Sequence, residues 1–305
     1  MDIILHHYPR SPFSEKVRAM LGYLNLSWKS VTIPVILPRP LLTPLSGGYR
    51  RTPIMQMGAD VFCDSNIIAR KIDSLSAMPS LYPEENAFAC ERISEWADNQ
   101  LFRIAVSLSF QPKAIAQLVA SMGQENLKAF MADREKLREG GTLERIHVSD
   151  AEAYLESYLV NLSKSLSQNF VLGDAPTIAD FSIYHALWMI VNNDVISELV
   201  LRHPLVASWY DRMVAFGHGQ HSDMSEQAAY ELAQSSSPQA VEGIRVKDFD
   251  LGQTVKVMPT DYGKIAVEGE LLSVSGEEVI LVHNTPELGD INLHFPRLGF
   301  NIKSK

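Results

Sequence analysis

The chain has 305 residues, 46% of them apolar and 21% charged, with a formal net charge of −9. That length allows two or three domains with a sizeable core, and the acidity argues against nucleic acid as a general partner. Two cysteines, Cys63 and Cys90, without metal-type spacing exclude a disulfide framework and predict a reducing, cytoplasmic setting.

The first residues run straight into "DIILHHY", a strand pattern with neither basic n-region nor apolar h-region, so no signal peptide is expected. Val17, Met20, Leu21 and Leu24 then place an apolar stripe on a helix. "SWKSVTIPVI" reads as a second strand. "TPIMQMG" and "DVFCD" form a hairpin turning at Met57-Gly58-Ala59-Asp60, and "SNIIARKIDSL" is a closing helix. This β-α-β, β-β-α order over residues 1–76 predicts a small mixed sheet with helices packed on it. The block carries nine Lys or Arg against five Asp or Glu, a balance of +4, which leaves −13 for the rest. A basic first domain on an acidic body suits a small anionic ligand there, although chance asymmetry explains the charge equally well.

"SLSAMPSLYP" is a linker, and helical spacing dominates residues 84–232, predicting an all-α bundle. Its most apolar stretch is interrupted by His185, Asn192, Asn193 and Asp194, so no membrane span is expected. Trp96, Trp188 and Trp209 are expected in the core. Thr177 and Asp180 have capping-box spacing. His218 and His221, among glycines without further ligands, read as loop and not as zinc ligands. No metal site is expected anywhere. After a second linker, "AQSSSPQAVEG", the period changes to two, and residues 245–305 predict a small antiparallel β-barrel or sandwich.

Three pieces carry chemistry. In "SPFSEKVR", Ser11 precedes Pro12 at a helix start, where serine caps the free N–H groups in its own right. In "RRTPIMQ", Pro53 stands immediately before a strand, which a cis Thr52–Pro53 bond would accommodate. In "CDSNII", Asp64 and Ser65 open a helix whose N-terminus attracts a carboxylate.

Together these motifs, with "LYP" at 81–83 and "FVLGDAPTIADFSIY" at 170–184, resemble the glutathione S-transferase family over roughly residues 1–230. The active-site segment is similar to those of the omega and zeta classes. The resemblance implies an α+β multidomain protein: a thioredoxin-like, glutathione-binding domain at 1–76, a helical domain at 84–232, and the additional β domain. It places Ser11 on the catalytic position and assigns glutathione contacts to Pro12, Phe13, Arg39, Thr52, Pro53, Asp64 and Ser65. Phe102, Phe110 and Met122 are where the helical domain would wall a second-substrate pocket. Aligning on Val17-Arg18 puts His7, not Tyr8, where other classes carry tyrosine, so Tyr8 reads as pocket wall.

The chemistry asked of Ser11 follows from thiol acidity. Lowering a thiol pKa of about 8.5 by two units needs about 2.7 kcal/mol. A hydroxyl hydrogen bond to the thiolate supplies about 1.5–3 kcal/mol, and the helix N-terminus about 0.3–1 kcal/mol. Serine in place of cysteine argues against thioltransferase activity and for addition, substitution or isomerisation. The resemblance thus implies a homodimeric transferase using glutathione as co-substrate on small electrophilic or apolar molecules, with no metal, membrane or nucleic-acid partner. The alternative is a non-catalytic binding or regulatory protein of the same fold that uses the C-terminal β unit.

Overall fold

The computed structural model describes residues 1–142 and 144–304. The N-terminal block runs β1 (Ile3–His7), α1 (Pro12–Tyr23), β2 (Trp28–Thr32), α2 (Leu42–Leu45), β3 (Ile54–Met57), β4 (Asp60–Cys63) and α3 (Ser65–Asp73). Parallel β1–β2 and antiparallel β1–β3 and β3–β4 pairings give the expected small mixed sheet. The helical block contains α4 (Ala87–Trp96), a π-helical turn at Ala97–Leu101, α5 (Phe102–Ser109), α6 (Pro112–Met122), α7 (Gln124–Arg138), α8 (Val148–Ser165), α9 (Ile178–Val191), α10 (Glu198–Leu201) and α11 (Pro204–Ala215). The capping box at the start of α9 forms as its spacing predicts, and Asp180 also accepts from Trp209 Nε1 at 3.0 Å.

Two expectations need correction. His221 lies in a short strand, β5 (His221–Asp223), which pairs in parallel with β2 and gives that strand's outer edge hydrogen-bond partners. Trp96 is not core: it is 37% exposed and packs one face on Tyr158, at 4.8 Å between ring centres. No helix among the described residues is long and apolar enough to cross a membrane.

Helix α12 (Glu226–Gln234) leads to the C-terminal strands β6 (Thr254–Pro259), β7 (Val267–Val274), β8 (Glu278–Thr285), β9 (Gly289–Pro296) and β10 (Phe300–Ser304). They are antiparallel to one another, as their alternation predicts, yet they do not stand apart. β9 pairs in parallel with β4, which joins all strands into one sheet of order β10-β6-β7-β8-β9-β4-β3-β1-β2-β5. Val257, Leu281, Leu293 and Phe295 share a core with Ile4, Leu45, Tyr49 and Val61. Gly47, at φ +60°, sits so close to this unit that a Cβ would come 2.6 Å from Val267 and 2.9 Å from Leu293.

At the β4–β9 seam, His294 joins the two parts. Its Nε2 bonds Asp60 of β4 at 3.2 Å and its Nδ1 bonds Glu278 of β8 at 2.8 Å, while its ring stacks on Phe62 at 4.2 Å. Two carboxylate partners require both ring nitrogens to carry protons. Burial works against that charge, but the hydrogen bonds to Asp60 and Glu278 outweigh it and raise the His294 pKa. A histidine raised above 6.5 stabilises fully below that value and loses its contribution as pH climbs through the folded-state pKa. Thermal stability is therefore expected to fall from pH 6.5 upward in the wild type, and His294→Ala is expected to flatten that slope while costing about 3 kcal/mol. Denaturant titrations at pH 6 and 9 measure both; an unchanged slope in the variant would refute this role for the seam.

Candidate functional site

The sheet register explains why the three motifs meet. His6 of β1 pairs with Ile54, and Ile54 pairs with Cys63. The end of β1, the start of β3 and the end of β4 therefore lie side by side. The segment carrying Ser11, the Thr52–Pro53 pair and the Asp64–Ser65 pair leave the sheet at this one edge.

Ser11 is buried and caps α1, its Oγ accepting from the Ser14 N–H at 3.2 Å. The hydroxyl hydrogen has no acceptor among the described residues, so it remains available to a ligand. Pro12 takes the first helical position, where its missing N–H costs nothing. The half-buried Phe13 ring packs with Phe102 (4.7 Å) and His185 (4.5 Å). Ser14 Oγ is buried without a hydrogen-bond partner among the described residues. The Tyr8 hydroxyl accepts from Arg134 of α7 at 3.3 Å. Phe110 stacks on Phe130 at 6.1 Å, and Met122, half-buried, ends α6.

The Thr52–Pro53 bond is cis. Arg39 reaches Thr52 Oγ1 at 2.9 Å, and its other donors go to the carbonyls of Pro34, Val35 and Arg50. It thus braces Thr52. Asp64 caps α3 at φ +107°, a backbone region costing a non-glycine residue about 1–3 kcal/mol. Its Oδ1 accepts from the Asn66 N–H at 3.0 Å and its Oδ2 from the Tyr49 hydroxyl at 3.2 Å. Burial raises the Asp64 pKa, opposed by Arg51 and these hydrogen bonds. Ser65 follows, buried, at the first position of the helix. Cys63 beside it is inert, because burial pushes its thiol well up.

A matched family description, "Glutathione S-transferase, N-terminal domain", covers residues 5–80, and "Glutathione S-transferase, C-terminal domain" covers residues 145–216. A GST-like protein from Pseudomonas syringae is 37% identical, with 100% of this chain and 99% of that one covered at a TM-score of 0.84. The chain belongs to the glutathione S-transferase family. At lower identity, a glutathione S-transferase from Rhodospirillum rubrum (16% identical, covering 79% of this chain and 95% of that one, TM-score 0.53) shares the fold. So does FzlA from C. crescentus (18%, 70% and 88%, TM-score 0.52). Among curated proteins no match was found.

What sequence reasoning missed are the charges behind the transferase-like site. Lys16, fully buried, pairs with Asp98 of the π-helical turn at 2.7 Å, and Asp98 also accepts from His185 at 3.0 Å. Burial would raise the Asp98 pKa, but Lys16 and His185 outweigh it and hold it at about 2. Glu15 accepts from Tyr184 at 2.9 Å, Arg18 at 2.7 Å and His218 at 3.1 Å. Burial again opposes its charge, and His218 and Arg18 hold its pKa at about 2. The "RRTP" doublet was the one visible signal of a further residue, Arg51, whose guanidinium stands 3.7 Å from Asp64. His6 and His7 are kept neutral by burial, at about 4 and about 3. Among the described residues no group of three or more His, Cys, Asp and Glu is placed to hold a metal ion.

A carboxylate depressed below its unfolded pKa stabilises above that pKa and is lost as pH falls through the folded value. Glu15 and Asp98 together predict acid destabilisation between about pH 4.5 and 2. Glu15→Gln is expected to cost about 3 kcal/mol at pH 7 and to make the acid limb shallower. Urea midpoints across pH 2–7 check this, and an equally steep limb in the variant would count against the assignment.

Proposed function

We propose that the chain binds glutathione along the edge formed by Ser11, Thr52 and Asp64–Ser65, and activates its thiol through Ser11. The thiolate then conjugates or isomerises a small apolar electrophile. The observation carrying this reading is Ser11 itself: a buried hydroxyl at the N-terminus of α1 with its hydrogen uncommitted among the described residues. That hydrogen donates to the thiolate sulfur, and the first-turn N–H groups of α1 add their positive potential. Thr52 pairs through its backbone with the cysteinyl unit, held in place by Arg39 from behind. Pro12 and Phe13 keep the turn in shape. Asp64 takes the γ-glutamyl ammonium, and Ser65 with the open helix N-terminus takes the adjoining carboxylate.

The co-substrate enters from the side of α5–α7, where Tyr8, Phe110 and Arg134 stand. Free, buried Cys63 and Cys90 fit a reducing cytoplasmic setting, and the family's usual homodimer is part of the same reading.

Calorimetry with glutathione, combined with thiolate absorbance against pH, tests the proposal. Wild type is expected to bind and to show a depressed thiol pKa. In Ser11→Ala that pKa is expected to rise by about 1–2 units, the equivalent of one charge-assisted hydrogen bond. Binding with an ordinary thiol pKa in both proteins would leave Ser11 a cap and the protein a non-catalytic binder. No binding by the wild type would end the glutathione reading.

A further inference from the structure

The two faces of the sheet are covered differently. On one face Val61, Leu281 and Leu293 are sealed in a core. On the other, α1 and α3 pack over Met55, Met57 and Phe62. Next to α3 on that second face, the register lines up one row across four strands. Phe62 of β4 stands opposite His294, His294 opposite Ile280, and Ile280 opposite Ser273 of β7. Cross-strand partners share a face, and all four are buried. They floor a cavity of about 390 Å³ that Ile67, Arg70 and Lys71 of α3 and the segment 239–244 also line. That volume lies within the range of small-molecule sites, roughly 300–1,000 Å³.

The segment 239–244 is a strap fixed at both ends. At β4 and β9, the Gln239 N–H donates to Asp60 Oδ2 at 2.9 Å, and Asn292 Nδ2 donates to Gln239 O at 3.0 Å. At β7, the Ile244 N–H donates to Ser273 Oγ at 3.1 Å, and the Val274 N–H to Ile244 O at 2.8 Å. Between these anchors, residues 240–243 make no hydrogen bond among the described residues. The strap therefore crosses from β4 to β7, three strand spacings or about 14 Å, with the cavity along it.

Most charges around the cavity are already matched. Arg70 pairs with Glu91 at 2.6 Å, and His294 spends both ring nitrogens on Asp60 and Glu278. Three polar groups are left over. The half-buried Lys71 ammonium has no acceptor among the described residues and lies 5.7 Å over the Phe62 ring, at the β4 end. Glu242, two residues before the β7 anchor, has no cationic partner among them. Glu278 uses Oε1 for His294, which leaves Oε2 without a donor among them. A cation at one end, carboxylates at the other and Ile280, Ile67 and Val241 between them call for a dipolar molecule with an apolar body. Because Lys71 and Glu242 reach inward from opposite ends, the gap suits charges separated by about 7 Å, the span of two extended residues.

We propose that this cavity is a second binding site, for a short apolar peptide of about dipeptide length, with its carboxylate on Lys71 and its ammonium on Glu242 and Glu278 Oε2. The site exists only where the C-terminal β unit meets α3, and it stands apart from the Ser11 edge. The strap supplies one wall, and the seam at His294 supplies the floor.

Calorimetry on the full chain tests this with alanyl-phenylalanine and leucyl-leucine, and with N-acetylated and C-amidated forms of each. At least one free dipeptide is expected to bind wild type with a dissociation constant of about 0.1–1 mM. Removing either terminal charge is expected to weaken binding about fivefold, as for a partly exposed ion pair. Lys71→Ala is expected to erase the preference over the amidated form, and Glu242→Gln to reduce the preference over the acetylated one. Both positions lie outside the core, so the variants are expected to fold. Saturating glutathione is expected to leave dipeptide binding unchanged. No binding of either dipeptide at about 10 mM would overturn the proposal. So would equal affinities for the blocked forms, unchanged discrimination in Lys71→Ala, or displacement of the dipeptide by glutathione, which would place it at the Ser11 edge.

Discussion

Strand β3 is antiparallel to β1 on one side and to β4 on the other, and everything at the candidate site depends on that double pairing. Ladder hydrogen bonds allow little slip once alternate side chains are buried on both faces, and Ile54, Met55 and Met57 are all buried. The three loops leaving that edge are therefore held in fixed relation, although more than fifty residues separate Ser11 from Asp64. In the proposed reading, a thiol peptide laid along the edge would meet a hydroxyl donor, a main-chain partner and a helix N-terminus in sequence.

The helix that carries Ser11 is held by charge as well as by packing. Lys16 and Glu15 each enter a buried network on the helical block, one through Asp98 and His185, the other through Tyr184 and His218. Buried ion pairs add little net stability compared with apolar packing, but a broken one is costly, so they specify one docking position. The π-helical turn at Ala97–Leu101 carries Asp98 toward α1, and such turns cluster at functional sites. The result is a first helix that does not slide relative to the helical block.

The C-terminal strands solve a different problem. Without β9, strand β4 would present an open edge of unpaired backbone groups. The parallel pairing closes it, His294 fastens the seam, and Phe295 and Phe300 pack against Tyr49, whose hydroxyl supports Asp64. The unit therefore reaches the candidate site twice, through Tyr49 and through Arg51, which donates to the Asp261 carboxylate and the Tyr262 carbonyl. The alignment with the Pseudomonas syringae protein covers this chain from end to end, so the region belongs to an architecture shared between the two.

Local pattern determined the elements. Period-two and period-3.6 spacing marked most strands and helices, Pro12 after Ser11 marked a capped helix start, and Thr177 with Asp180 marked another. Each signal depends on neighbours within a few residues, and the motif order was enough to indicate the family. Tertiary structure alone decided that five late strands extend the first sheet, that His218 reaches Glu15, that His221 joins an edge strand, and that Trp96 faces outward. It also decided that Arg51 belongs to Asp261 and Tyr262, two hundred residues later. The physical reason is common to all of these. A strand edge, a buried charge or a guanidinium needs a partner, but any complementary segment can supply it, and only the folded chain shows which one does.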